Sequence, residues 1–588
     1  MGRLQLCFLH RAKKYDCVPD DPCIRGVSVG RYARSTVLQK RYMREQNGVE
    51  KPLLIQTARG FSVLYRNKYL YSKYHPEQAL LAQVEGVQIP DSALLLCFSP
   101  VLGYGLKELV EKLPASSYIL AVECDQMLMR FSLDHCDFSF FTGRRFSYVR
   151  TDSVAAVVKK IEALPLFPFK KCITLSCSGG VLLYRDFYDE VRRYAEEAIS
   201  RFWRNRLTLM HFGRNYAHNT FRNLLFLTND SRCRLLSGEE RIAQPVLVAG
   251  AGPSLDGARD FICKNRDSFF LLAVDAAAAA LLPDIRPDAA VLVESQYWID
   301  SAFIGLQKQA IPVFADVTAS PRAIRFSGGP VFFFCTDYAP LRYLRHLYRA
   351  LQPLVMPPVG SVGLTAVQLA LLLTDSHLPV FHTGLDFAWS GGLTHAAESS
   401  PVKKLFAETE RTKSFYTPNF PAGTERVIGK QGLSYWTTPV LTGYAELYRH
   451  TFAGNGRIID IGGVGCRLTE RQAGYAEAET LLAAATGGAS ATRFCSGFDG
   501  ARESDAERGR EGRQRICAYL AHEYEYLSAL AAHLQGKHPL PEKMMERIIA
   551  GRDYLYSHFP DAARGYSLEL GFLKRVSVEL SYMLKALS

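Results

Sequence analysis

In Val246-Leu247-Val248-Ala249-Gly250-Ala251-Gly252-Pro253-Ser254-Leu255-Asp256 a short apolar run ends abruptly in two glycines, a proline and a hydroxyl residue. An apolar run bounded by glycine reads as a buried strand, and the residues after it read as a turn into a helix. Gly250 and Gly252 permit close backbone approach, Pro253 suits a first helical turn, and Ser254 can cap the helix while presenting its amide outward. Such a helix start attracts phosphate, because free amides and the helix dipole both favour an anion. The same residues also describe a tight strand-to-helix connection that binds nothing. The flanking sequence favours the ligand reading.

Phe269-Phe270-Leu271-Leu272-Ala273-Val274-Asp275 is a second apolar run. It lies about twenty residues on and ends in a carboxylate, as in a β-α-β unit whose second strand offers an acid to a ribose. A third unit, Ile285-Arg286-Pro287-Asp288-Ala289-Ala290-Val291-Leu292-Val293-Glu294, sets Asp288 before its strand as a turn residue. Its Glu294 stands at the carboxyl end, where open α/β sheets gather ligand groups. Gly360-Ser361-Val362-Gly363-Leu364-Thr365 opens an apolar helix. Its first amides and the Ser361 and Thr365 hydroxyls suit a phosphate or a carboxylate, or simply cap a core helix. Val380-Phe381-His382-Thr383-Gly384-Leu385-Asp386 is a further strand delivering Asp386 to the same edge, and Gly391-Gly392-Leu393-Thr394-His395 is a loop carrying an imidazole. Strands alternating with helical stretches predict an α/β fold with Rossmann-like, mainly parallel sheets in two domains and a helical C-terminal appendage.

The runs GAGPSLD, AVDAAAAALL, IRPDAAVLVE, PPVGSVGLTAVQLALLL and VFHTGLDFAWSGGLTHA follow one another within residues 205–475. Together they resemble the domain shared by the motility-accessory-factor flagellin glycosyltransferases and the archaeal 6-hydroxymethylpterin diphosphokinases. The GAGPSL turn and the later Gly-x-Asp-Phe are also similar to bacterial CMP-sialic-acid sialyltransferases, which hold a cytidine nucleotide in a comparable sheet. Upstream, Ser72-Lys73-Tyr74-His75-Pro76-Glu77-Gln78-Ala79 and the turn Gly103-Tyr104-Gly105 resemble the flagellin-glycosyltransferase branch, and the small archaeal kinases lack this part. Ser99-Pro100 stands where that branch has glycine, and the next strand ends in Glu123. The pair reads as a cofactor loop with Glu123 on a ribose, or as a structural Rossmann-like remnant. The departure from glycine favours the remnant.

Composition shifts divide the chain into a basic extension (1–50), a Rossmann-like domain (51–204), a nucleotide-sugar-binding domain (205–475), a flexible linker of small and charged residues (476–512) and a helical domain (513–588). From Tyr188 to Asn223 arginines and aromatic residues alternate at helical spacing, as in a connecting amphipathic helix. With 588 residues, 48% of them hydrophobic, the chain can bury two or three cores, yet no apolar stretch nears the length of a membrane span. No secretory signal pattern opens it, so a cytoplasmic protein without stable membrane insertion is expected. The fourteen cysteines show neither Cys-x-x-Cys nor Cys/His metal spacing. They read as reduced core residues, Cys97, Cys172, Cys263 and Cys335 among them in apolar runs, and no metal site is expected. A net charge of +12 and a pI of 9.0 suit acidic partners or an anionic sugar nucleotide, but the basic residues are too dispersed to indicate nucleic acid.

The resemblance implies transfer of a sugar, a nonulosonic acid, from a CMP-activated donor to Ser/Thr hydroxyls of flagellin or another flagellar protein, in support of motility and with no obligatory cofactor. Gly250, Gly252, Pro253 and Ser254 would take the nucleotide phosphate, Asp275 the ribose or base, and Ser361 and Thr365 the phosphate or sugar acid. His395 is the leading base, with Asp386 and Glu294 as rivals. The archaeal branch implies instead pyrophosphate transfer from ATP, with Mg2+ held by carboxylates such as Asp275, Asp288, Glu294 and Asp386. A third reading is a non-enzymatic flagellin-docking protein. The extra terminal segments favour a macromolecular acceptor, and the helical tail suits acceptor docking or a homo-oligomer.

Overall fold

Runs in which every residue is apolar, such as Ala93–Phe98 and Phe270–Val274, are buried throughout their length, as parallel strands with both faces covered require. The computed structural model describes residues 51–136, 145–486 and 503–587, apart from 166, 283, 305, 339–340 and 413–419. The basic extension 1–50 and residues 487–502 of the expected linker lie outside the described residues. The chain divides into two units, the first ending at Glu197 and the second beginning at Ala198.

In the first unit β1 (Leu53–Thr57), β2 (Gly60–Tyr65) and β3 (Lys68–Tyr69) form an antiparallel meander. β4 (Ala93–Phe98), β5 (Tyr118–Glu123), β6 (Phe146–Arg150) and β7 (Lys171–Ser176) form a parallel sheet in the order 6-5-4-7. The strand order reverses between β4 and β7, where a sheet of this kind opens a ligand crevice. Here the chain itself fills the position. Glu123 is fully buried and accepts hydrogen bonds from the Ser99 hydroxyl (2.8 Å), the Tyr188 hydroxyl (3.1 Å) and the Asp125 amide (3.0 Å). The Ser178 hydroxyl donates to the Ser99 carbonyl, and a Cβ on Gly180 would stand 2.2 Å from the Ser99 Oγ. Burial pushes the Glu123 carboxyl up to about 7. Its partners are therefore the protein's own hydroxyls.

The helix α1 (Arg185–Asn229), 45 residues long, carries the chain from the first unit into the second and agrees with the Arg/aromatic periodicity. In the second unit the strands β8 (Cys233–Leu235), β9 (Val246–Ala249), β10 (Phe270–Val274), β11 (Ala289–Leu292), β12 (Ile311–Asp316), β13 (Gly328–Thr336), β14 (Val355–Met356) and β15 (Val380–Thr383) precede an antiparallel hairpin of β16 (Glu425–Ile428) and β17 (Ser434–Thr437), and β18 (Ile458–Asp460) follows it. All but the hairpin join one nine-stranded parallel sheet in the order 14-13-12-11-10-9-15-18, with β8 also beside β13. The order reverses between β9 and β15, so the loops after their carboxyl ends share one crevice.

Two asparagines one helical turn apart on α1 fasten it to this edge. Asn219 donates to the carbonyls of Ser295 (2.9 Å) and Thr318 (3.0 Å), and Asn223 to those of Val317 and Ala319 (both 2.9 Å). Loop carbonyls that no ladder satisfies thus find buried donors.

Two expected boundaries move. Residues 476–486 of the expected linker belong to the helix Tyr475–Thr486, with Tyr475 stacked on Phe261 at 5.5 Å and Glu479 paired with Lys264 at 2.9 Å. The alanine-rich composition that reads as a spacer is also strongly helix-forming. The helices Glu503–Leu534, Glu542–Gly551 and Leu570–Leu587 belong to the second unit. Asp553 accepts the amides of Arg342 (2.5 Å) and Tyr343 (3.0 Å), and the buried Arg206 guanidinium donates to the carbonyls of Ser557 and Phe559. Of the four cysteines expected in the core, Cys97 and Cys335 are buried and Cys172 is half-buried, whereas Cys263 is exposed, since it lies on the outer face of the helix Ser254–Lys264.

Asn223→Ala removes two buried bonds at once and should destabilise the second unit by roughly 2–4 kcal/mol, read from urea unfolding of the full chain. An unchanged midpoint would show that the Val317 and Ala319 carbonyls do not depend on this side chain.

Candidate active site

The β9 turn is shaped by its neighbour. Gly250 donates its amide to the Thr383 carbonyl and Gly252 to the Gly384 carbonyl, both at 2.8 Å. A Cβ on Gly250 would lie 2.3 Å from the Gly384 oxygen, and one on Gly252 would lie 2.6 Å from the Asp386 Oδ2. The close approach that glycine permits is thus made to the β15 loop of the same chain. Ser254 opens the helix α2 (Ser254–Lys264), and the Asp386 carboxylate takes both of its donors, the amide at 2.7 Å and the hydroxyl at 2.6 Å. The Ser254 Oγ in turn accepts the Gly384 amide at 2.8 Å. An internal carboxylate therefore occupies the helix start where the sequence suggests a phosphate, and Ser254 as described offers that phosphate no free donor.

Three residues that the sequence reading passed over complete this centre. Lys430 is only 4% exposed, and its Nζ lies 2.8 Å and 3.0 Å from the two Asp460 oxygens and 2.9 Å from the Gly462 carbonyl. Asp460 ends β18 and accepts the Gly462 amide at 2.9 Å. His382, on β15, is buried with Nδ1 3.8 Å from Asp460, and neither ring nitrogen has a hydrogen-bond partner among the described residues. Burial pushes this imidazole down to about 4, and the nearby Lys430 charge acts in the same direction, so it is neutral at pH 7. Burial pushes the Asp386 carboxyl up to about 6, while Lys430 and the bonds from Ser254 oppose the shift. The signal for this group was present in the sequence. Ile458-Ile459-Asp460-Ile461-Gly462-Gly463-Val464-Gly465 is another apolar run ending in glycines.

The His395 loop docks on the same turn. The Ala396 amide donates to the Ala251 carbonyl (2.8 Å) and the Ala397 amide to the Asp256 carboxylate (2.9 Å), while the His395 Nδ1 and the Thr394 hydroxyl are 2.9 Å apart. Burial lowers the His395 pKa from the usual 6.5, which leaves a neutral base at pH 7. On the other side of the turn Asp275 starts a helix after β10, and its Oδ1 accepts the Ala276 amide at 2.7 Å. Burial pushes Asp275 up to about 7, and the neighbouring Glu294 adds to the rise. Glu294, after β11, is half-buried and accepts the Gln296 amide at 3.0 Å.

Two expected ligand groups have local duties. Ser361 caps α3 (Val362–Leu373) by accepting the Gly363 amide at 3.3 Å. The Thr365 hydroxyl is buried and donates to the Ser361 carbonyl at 3.0 Å, so it is turned inward. A Cβ on Gly363 would lie 2.6 Å from Leu385, which puts the start of α3 against the Asp386 loop. Asp288 accepts the Leu271 amide (2.8 Å) and pairs with Arg266 (2.8 Å) at the amino ends of β10 and β11, the edge opposite Asp275 and Glu294. It is the turn residue that its sequence context suggests.

The family model described as 6-hydroxymethylpterin diphosphokinase MptE-like matches residues 218–392, which hold the β9 turn, Asp275, Glu294, Ser361 and Asp386. An uncharacterized protein of Treponema pallidum (strain Nichols) is 39% identical over 551 residues, covering 91% of this chain and 95% of its own length. The solved structure of the MAf glycosyltransferase from Magnetospirillum magneticum AMB-1 shares the fold, with a TM-score of 0.54 and 14% identity over 93% of this chain and 92% of that one. The chain belongs to one family with the Treponema pallidum protein, and its residues 218–392 are an MptE-like domain. In the second unit the switch-point crevice gathers the β9 turn, Asp386 and the His395 loop, and the buried Lys430–Asp460 pair adjoins Ser254 across Gly462. Among the described residues no helix is long and apolar enough to cross a membrane, and no group of three or more His, Cys, Asp or Glu side chains is arranged to hold a metal ion.

Because Gly252 faces Asp386, Gly252→Ala should act on the fold before it acts on any ligand. The expected loss is ~1–3 kcal/mol, the usual scale for overpacking, read by urea unfolding without nucleotide. Wild-type stability in this variant would mean that the glycine serves ligand approach alone.

Proposed function

We propose that this protein is a glycosyltransferase that moves a nonulosonic acid from a CMP-activated donor to serine and threonine hydroxyls of flagellin, or of another flagellar protein, in the cytoplasm. The observation that carries the reading is the backbone bond from Ala396 to Ala251, which seats the His395 loop on the glycine turn at the topological switch point. Transfer requires a base at the acceptor hydroxyl, fixation of the leaving phosphate and exclusion of water. His395, neutral at pH 7, takes the hydroxyl proton as the acceptor oxygen attacks the anomeric carbon, and the bond from that carbon to the CMP phosphate breaks. Ser361 suits the phosphate or sugar acid, since its Oγ accepts an amide and keeps its own proton to donate. Asp275 suits the ribose or base from the far side of the turn. Among the rival bases, Glu294 is half-buried, whereas Asp386 is fixed by Ser254.

The MAf glycosyltransferase fold supports the transferase over the diphosphokinase named in the family model's description. So does the placement of acids. Of the four carboxylates a pyrophosphate transfer would share around magnesium, Asp288 stands at the opposite edge of the sheet and Asp386 is bound to Ser254. The donor itself bears the chemistry of departure, since cytidine monophosphate is a stable anion that helix starts and amides can receive.

His395→Ala should lower the rate of transfer to purified flagellin by roughly a hundredfold or more, the usual scale for a lost general base, with CMP affinity little changed. Intact-mass spectrometry of flagellin reads the product. Because burial lowers the His395 pKa, its own acid limb should lie below pH 6.5 rather than at it. A normal rate in the variant assigns the proton transfer elsewhere, with Glu294 next to be tested. Flagellin of unaltered mass from cells lacking the protein would refute the acceptor.

A further inference from the structure

Lys430 does something that the transfer chemistry above does not use. A buried ion pair is a poor source of stability, because the cost of desolvating two charges matches or exceeds their attraction, and apolar residues fill the same space as well. Yet the backbone here is built to receive one. A Cβ on Gly429 would lie 2.2 Å from the Gly465 carbonyl, and that carbonyl accepts the Lys430 amide at 2.9 Å. A Cβ on Gly462 would meet the Ser254 Oγ at 2.9 Å and the Lys430 Nζ at 3.1 Å, so the ammonium and the hydroxyl flank a single glycine. A Cβ on Gly465 would lie 2.6 Å from the Asp386 Cβ. Three glycines thus press the lysine, the serine and the aspartate into one buried cluster.

We propose that Lys430 is a positioning residue of the transfer site, whose buried ammonium keeps the Asp386 carboxylate doubly bonded to Ser254 and thereby fixes the β9 turn against the loop that carries His395. The inference rests on the transferase reading for its kinetic test. An ionised Asp386 accepts from both the Ser254 amide and its hydroxyl, whereas a protonated one gives up part of that acceptor capacity. The turn so held carries the Ala251 carbonyl on which the His395 loop hangs. The charged and titratable groups facing Asp386 are Lys430, Asp460, Tyr435, Tyr475 and Cys466. The tyrosines and the cysteine are raised by burial above already basic values, and His382 beside Asp460 is neutral above about 4. Burial holds Asp386 at about 6, within the range of a transfer assay. Burial is the cause of the His395 shift, so a change at Lys430 leaves that base where it is.

The test is the pH profile of transfer by the full chain carrying Lys430→Met, Lys430→Arg, or Lys430→Met with Asp460→Asn. The double variant removes both charges and guards against a fold lost to an unpaired buried carboxylate. Loss of a cation beside a carboxylate raises its pKa. The acid limb should therefore move up by ~1 pH unit or more in Lys430→Met, which at pH 6 is about a fivefold loss of rate, and by less in the double variant, where the opposing Asp460 charge is gone as well. Lys430→Arg should keep the wild-type limb. Rates reduced equally at every pH with an unmoved limb would overturn the proposal and leave Lys430 a structural residue. A second readout needs no activity. A carboxyl raised from 3.8 to about 6 in the folded protein contributes stability that is present below the unfolded value and lost as pH rises through the folded one. That descending step in the melting temperature should end at higher pH in the two variants lacking the lysine. A moved step in a protein that never glycosylates flagellin would refute the transferase reading while preserving the coupling of Lys430 to Asp386. A fixed step refutes the coupling itself.

Discussion

The hydrogen bonds from the Ser254 amide and hydroxyl to the Asp386 carboxylate join the two loops that define the crevice, and the rest of the second unit is arranged around them. A helix start needs acceptors for its first amides, and a carboxylate there also meets the positive end of the helix dipole. Here the acceptor comes from 132 residues away in sequence, so it ties β9 to β15 across the point where the strand order reverses. Gly250, Gly252 and Gly384 follow from that contact. The backbones cross so closely that a Cβ at any of the three would stand within 2.6 Å of a neighbouring atom.

The electrostatics of the centre follow from the same crowding. Burial raises Asp386 and Asp275 and lowers His382 and His395, in each case favouring the neutral form. Against that pressure Asp460 and Lys430 pair directly, and a histidine 3.8 Å from the same carboxylate stays uncharged chiefly because it is buried. The crevice thus combines a fixed ion pair with groups whose charge changes near neutrality. Perturbed groups gathered at the carboxyl edge of a parallel sheet mark functional centres.

Much of this was legible in the chain. Apolar runs ending in glycine or acid gave the strands β9, β10, β11 and β15 and set Asp275, Glu294 and Asp386 at one edge, because strand direction alone decides which end a terminal residue occupies. Partnership was harder to read. Nothing local to Ser254 announces that a carboxylate 132 residues later will take its donors, and Lys430 lies in a short glycine-flanked turn whose composition resembles a solvated loop. Asp460 was discoverable from its run into Gly462 and Gly465, the same signal that made β9 conspicuous. The misplaced linker over 476–486 has a different cause, since small residues serve spacers and helices equally well and only the contacts of Tyr475 and Glu479 decide between them.

The proposed transfer requires the switch-point crevice to be a cytidine nucleotide site. Isothermal calorimetry of the full chain, titrated in parallel with CMP and with ATP plus magnesium, tests that claim directly. It predicts saturable one-site binding of CMP that does not require magnesium, and little or no binding of ATP in either condition. Magnesium-dependent binding of ATP with no response to CMP would contradict it and return the crevice to pyrophosphate transfer.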